Sequence, residues 1–290
     1  MEAAGFFRTV GRLVRADLTK LSRYWVIVTG YAAIFVIAVP GAALAHWIEN
    51  AVGVTPDSGY DFAINLMVRY VDVTTPILYV MICIVFAIDV TNGTVKCLLT
   101  RPVTRMELLT SKYATALLMA FATALLLWTV ALAAGAWFYE LGDLRENEYV
   151  LFPASYVWSQ LATGSLFLLL GYAAIASMGV MVSTFSSTMG GAVIIGLILY
   201  FFFGLFAMVP ATLGVPLHVG GEELLFPWSS LGFPSQLFVP LYVLDDLPTG
   251  VPIDDWWTWD LRRFTAVCAS FSLVFFAAAA WRVRSRDFVL

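Results

Sequence analysis

Six long stretches of this chain hold almost no charge: about Trp25–Trp47, Tyr70–Val90, Tyr113–Tyr139, Tyr156–Val182, Met189–Val209 and Phe264–Trp281. Each is close to the roughly 20 apolar residues that a helix needs to cross a hydrocarbon core. Their apolar character is continuous, whereas a membrane β-barrel alternates apolar and polar positions over strands of ~10 residues. The pattern predicts an all-α membrane protein with six transmembrane helices. Ahead of the first run, "FFRTVGRLVRADLTKLSRY" has another period. Phe6, Val10, Leu13, Val14, Leu18 and Leu21 recur at spacings of three and four, with Arg8, Arg12, Arg15 and Lys20 between them. Residues 1–24 therefore read as an amphipathic interfacial helix, its cations towards lipid phosphates. Anchoring the first span and contacting a partner are both open to it. The first apolar run is too long for a cleaved signal peptide and has no small-residue cleavage site.

Composition excludes a soluble fold. The 290 residues are 61% hydrophobic and 12% charged, more apolar surface than one core can hide. Charge then orients the spans. Of the 16 lysines and arginines, twelve fall at one end of a six-span arrangement. They are Arg8, Arg12, Arg15, Lys20 and Arg23 before the first span, Lys96, Arg101, Arg105 and Lys112 between the second and third, and Arg282, Arg284 and Arg286 after the last. The positive-inside rule places that end, with both termini, in the cytoplasm of a multi-pass plasma-membrane protein. Of the 20 acids only Glu2, Asp17, Asp89, Glu107 and Asp287 join them. Arg262 and Arg263 sit on the opposite side, where long side chains can snorkel. Trp25 and Trp281 mark one water boundary; Trp47, Trp137, Trp158 and the cluster Trp256, Trp257 and Trp259 mark the other.

Between Pro210 and Arg263 lie seven of the twelve prolines, interleaved with apolar pieces such as "ELLFPW" and "QLFVPLYVL". A disordered loop would not carry so many aromatics. The segment 210–263 reads as short re-entrant or interfacial helices, broken by prolines, capping the far end of the bundle.

Enzyme chemistry is scarce. The three lysines, Lys20, Lys96 and Lys112, follow Thr19, Val95 and Ser111, so none can complete a Walker A loop, which needs Gly before its Lys. No two glycines stand two apart, which removes the GxGxxG nucleotide loop, and no serine sits in a nucleophile elbow. The histidines are His46 and His218. His218 with Glu222 and Glu223 matches no metal-ligand spacing, and Cys83, Cys97 and Cys268 are too scattered for a cluster. Asp72 reads as near the outer end of span two and Asp89 as near its inner end, leaving the mid-membrane polar only through hydroxyls. A proton- or ion-coupled carrier would need charge at the midplane. The chain is read as no enzyme, with no metal or cofactor of its own and no nucleic-acid partner.

One cytoplasmic stretch is richer than a connection between spans requires: "DVTNGTVKCLLTRPVTRMELLTSK". Gly93 stops span two. Val95, Leu98 and Leu99 then form an apolar stripe at i, i+3, i+4, with Lys96 and Arg101 off it. Pro102 disfavours helix at Arg101. Thr104 and Glu107 have capping-box spacing and restart a helix that runs on as span three. A two-turn helix of this kind either docks on a partner or covers the bundle.

These residues resemble the membrane subunits of type-2 ABC exporters, the ABC-2 permeases. Gly93, Thr94, Leu98, Leu99, Pro102, Arg105, Leu108, Leu109 and Lys112 fall on positions of the pattern that follows their second span. Asp89 stands where a Glu is usual, and Thr91 and Asn92 dilute the acidic part. "VSTFSSTMGGA" is similar to the family's inner turn between spans four and five, without its basic residue, and "WRVRSRDF" to its Arg-rich ending. The resemblance implies one transmembrane domain over 1–290: spans one to five within 25–209, a coupling helix at about 93–101, an extracellular re-entrant segment at 210–263, and span six with a cytoplasmic tail at 264–290. It implies a homodimer in membrane lipid, docked by Asp89, Gly93, Thr94, Val95, Lys96, Leu98, Leu99, Arg101, Pro102, Arg105 and Glu107 onto two ABC ATP-binding subunits that hold ATP and Mg. Export from the cytoplasm would follow. The alternative is an ATPase-coupled scaffold or processing factor, for example in periplasmic metal-site maturation.

Overall fold

The computed structural model describes residues 2–53, 56, 58–94, 103–146, 149–210, 212–219, 222–232, 234–248, 250–253 and 255–285. Helix α1 (Glu2–Leu21) is the amphipathic one. After it come α2 (Trp25–Val52), α3 (Gly59–Thr91) and α4 (Arg105–Phe138), a hairpin of β1 (Leu144–Glu146) with β2 (Tyr149–Phe152), then α5 (Ala154–Phe185) and α6 (Met189–Phe206). A second hairpin pairs β3 (Gly214–Val219) with β4 (Glu222–Pro227). Two 3-10 turns, Trp228–Leu231 and Ser235–Phe238, lead to α7 (Val239–Asp245), and α8 (Trp259–Ser285) closes the bundle. Among the described residues six helices, α2 to α6 and α8, are long and apolar enough to cross a membrane, as the sequence pattern predicts.

The helices run further than their apolar stretches. Helix α3 starts at Gly59, eleven residues before Tyr70, because Ser58 caps it by accepting from the Asp61 N–H (3.2 Å). Its first turns are polar only on one side: Asp61, Asn65 and Arg69 are not buried, while Tyr60, Phe62, Ile64 and Met67 are. At 33 residues, α3 spans about 50 Å, well beyond a hydrocarbon core. Asp72 consequently lies near its middle rather than near an end.

Helix α3 is the most enclosed span and packs on α2, α4, α5 and α6. Its closest approach is to α4. A Cβ on Gly135 would collide with the Gly59 carbonyl, and the Gly59 N–H donates to Glu140 O (3.1 Å). Small residues of this kind let the backbones touch and gain dispersion contact.

The segment 210–263 departs from the expected run of short helices. Its first part is the β3–β4 hairpin, registered from Gly214 opposite Pro227 to Val219 opposite Glu222. Its second part is helical and enters the bundle. Leu237, Leu241, Leu244 and Leu247 are fully buried; a Cβ on Gly171 or Gly164 of α5 would strike Leu237 or Leu244. The Trp256 indole N–H donates to Gln160 Oε1 (2.6 Å), and the Tyr156 hydroxyl bonds the Ile253 backbone, pinning the far side of the segment to α5.

Candidate functional site

At the end of the bundle that holds α1 and the last turns of α8, three helices bring four charges together. Asp17 and Lys20 come from α1, Asp89 from the last turns of α3, and Lys112 from the second turn of α4. The Lys112 ammonium lies between Asp17 Oδ1 (2.6 Å) and Asp89 Oδ2, and Lys20 pairs with Asp89 Oδ1. Only 2% of the Lys112 side chain is exposed. A lone buried ammonium would cost several kcal/mol, so its presence here requires a carboxylate partner. Two acids and two lysines leave the cluster formally neutral. Burial pushes the Asp17 carboxyl above its usual range, and Lys112 pulls against that. Asp17 Oδ2 has no hydrogen-bond partner among the described residues.

The cluster sits at the root of the segment singled out in the sequence. Helix α3 stops after Thr91, the Asn92 N–H bonding Ile88 O, and Gly93 takes the left-handed conformation (φ 69°) that turns the chain. Thr94 then folds back, its hydroxyl donating to Asp89 Oδ1 (2.7 Å). On the other side the expected capping box is formed. The Thr104 N–H donates to Glu107 Oε2 (2.7 Å) and the Glu107 N–H to Thr104 Oγ1 (3.2 Å). Arg105, next along, donates to Val283 O (3.3 Å) and Arg284 O (2.7 Å), holding the final carbonyls of α8. The turn between α5 and α6 reaches the same place, where the Met189 N–H donates to Thr91 Oγ1 (3.1 Å).

Of the residues singled out in the sequence, Asp89, Gly93, Thr94, Arg105 and Glu107 are thus gathered at one end of the bundle. Val95, Lys96, Leu98, Leu99, Arg101 and Pro102 lie outside the described residues. Asp17 and Lys20 were missed as partners of Asp89, though Asp17 carries a signal. It stands on the buried stripe of α1 with Val10 and Leu21, where an acid needs a cation opposite. At the far end, His46 stacks on Phe138 (ring centroids 4.1 Å apart) and bonds the Tyr139 hydroxyl (3.2 Å), a packing role. Side chains of His218, Glu222 and Glu223 are outside the described residues. No group of three metal-ligating side chains occurs among the described residues.

The arrangement fastens α1, α3 and α4 to one formally neutral knot, next in the chain to residues 95–102. Residues 13–206 match the family model described as ABC-2 family transporter protein, a match that runs from within α1 to the last residue of α6. Among curated proteins, none matches the sequence.

Proposed function

The chain belongs to the ABC-2 transporter family, and we propose that it is the permease subunit of an ATP-driven exporter whose separate ATP-binding subunits dock on residues 93–101. Six apolar spans make it the membrane subunit of an ABC transporter, not the ATPase. In this reading two copies form the membrane part and two ATP-binding subunits, holding ATP and Mg, face the cytoplasmic end. The observation that supports it best is the Asp17–Lys20–Asp89–Lys112 knot. A coupling segment transmits force only if its root is stiff. Here one end leaves Thr94, bonded to Asp89, and the other enters α4 through the Thr104–Glu107 capping box, one turn before Lys112. A displacement of residues 95–102 therefore moves α3 and α4 as a pair and carries α1 with them. Because α3 lies at the centre of the bundle, that movement reaches α2, α5 and α6.

The test is ATP turnover. The purified chain should hydrolyse no ATP alone, and activity should appear when an ABC ATP-binding subunit co-purifies with it. Sustained hydrolysis by the isolated, contaminant-free chain would overturn the reading. ATP-dependent uptake into inside-out vesicles by the same complex separates an exporter from a scaffold that uses the motion without moving cargo.

A further inference from the structure

Asp72 is exposed on the outer face of a single subunit, and its register against α2 puts it at mid-span. Its level follows from α2. The Tyr70 hydroxyl donates to Ala38 O (2.5 Å), which registers α3 against a helix bounded by the exposed Trp25 and Trp47. Two residues further along α3, Asp72 falls about midway between those tryptophans, roughly 16 Å from each. Intramembrane carboxylates almost never face lipid. Asp72 has no ion-pair or hydrogen-bonded partner among the described residues, and the nearby Arg69 is engaged by Glu49 (3.4 Å). A second acceptor accompanies the carboxylate. Pro76 has no N–H, so the Asp72 carbonyl four residues earlier loses its helical donor. The carbonyls of Tyr70 and Val71 receive the hydroxyls of Thr74 and Thr75, but no described side chain donates to Asp72.

One turn along the same face a groove of about 520 Å³ opens, walled by Pro76, Val80 and Met81 of α3, Trp25 and Ala33 of α2, and Leu197 of α6. Its walls are apolar, and its size suits a drug-sized molecule. We propose that Asp72 is a cargo-binding carboxylate and that the cargo is an organic ammonium ion with an apolar body lying in this groove. The ammonium answers both acceptors, and the groove takes the rest. An isologous interface on this face would set Asp72 against a different residue of the second copy, an outcome that the test below separates from cargo binding. This rests on the permease reading.

The experiment uses the full chain in lipid nanodiscs and rhodamine 6G, an apolar cation bearing N–H groups, with partitioning into empty discs subtracted. The wild type should bind it saturably. Asp72→Asn, which only removes a surface charge from the apolar zone and so spares the fold, should weaken binding by roughly tenfold or more, and Asp72→Glu should restore it. Tetraphenylphosphonium should compete; tetraphenylborate, of similar bulk and opposite sign, should not. Unchanged affinity in Asp72→Asn, competition by the borate, or no saturable binding to folded wild type would each overturn the site. So would a change of oligomeric state in Asp72→Asn without a change in cation affinity, which would make the face a subunit interface. Binding needs no ATPase, so failure here leaves the permease reading standing, and loss of ATPase association leaves this site standing.

Discussion

Lys112 has two acids to satisfy and, among the described residues, is the only cation paired with Asp17. The four charges are therefore unequal under mutation. Lys112→Met leaves Asp17 buried without its cation and Asp89 with Lys20 alone, a change expected to cost about 3–5 kcal/mol. Asp17→Asn keeps an acceptor for Lys112 while removing a charge that burial disfavours. Because the Asp17 carboxyl titrates above its usual range, the folded chain takes up this proton before the unfolded one does. The stability linked to it is full below the ordinary carboxylate range and lost as pH rises through the raised value. Thermal unfolding in detergent should show Asp17→Asn at or above the wild type at pH 8, the gap narrowing as pH falls through the raised carboxyl value, and Lys112→Met well below throughout. An Asp17→Asn variant that unfolds like Lys112→Met would mean that the ion pair, not burial, governs this acid.

Elements were legible where a local signal fixes them. The Thr104–Glu107 capping box and the Gly93 stop both stand where the sequence put them, because each is decided by three or four adjacent residues. The early start of α3 was hidden because Asp61, Asn65 and Arg69 break the apolar run, although they occupy only its outward side. The β3–β4 hairpin was hidden because "ELLFPW" carries no strand alternation, and its pairing is set by Gly214–Val219 lying opposite. The charge knot needed tertiary structure: nothing local to Asp17 names Lys112. Residues 95–102 remain the place where a sequence pattern alone makes the claim. If Val95, Leu98 and Leu99 enter a groove on the ATPase, burying each Leu is worth about 1.5–3 kcal/mol, and a carboxylate there adds a desolvation cost. Leu98→Asp with Leu99→Asp should release the ATPase on co-purification, or uncouple its hydrolysis from transport, while the six spans still insert. Arg105→Ala should keep the ATPase, since that guanidinium is spent on the carbonyls of Val283 and Arg284. A double Asp variant that retains both the ATPase and substrate-stimulated turnover would place the stripe against lipid or the bundle instead.

At the scale of the whole molecule, charge and depth agree. The end with α1, the roots of α3 and α4 and the close of α8 gathers Lys20, Lys112, Arg105, Arg282 and Arg284. The opposite end carries Asp143 beside the first hairpin, Asp245 and Asp246 at the close of α7, and Asp255 and Asp260 before and in the first turn of α8. Two basic residues that sit against this division have local partners there: Arg263 pairs with Asp260 (2.9 Å) and Arg69 with Glu49. They are bound within the far end and do not compete with the basic face for the cytoplasm. The positive-inside rule then predicts that both termini and position 97 face inward and position 255 outward. Cys83 and Cys268 are buried, so replacing each by Ala gives a background in which one introduced or retained thiol reports. Intact cells treated with a membrane-impermeant maleimide should label an Asp255→Cys chain and leave a chain bearing only Cys97 unlabelled until the membrane is opened. The reverse result would invert the bundle. It would also turn residues 93–101 away from any cytoplasmic ATPase, and the proposed coupling would fall with the topology.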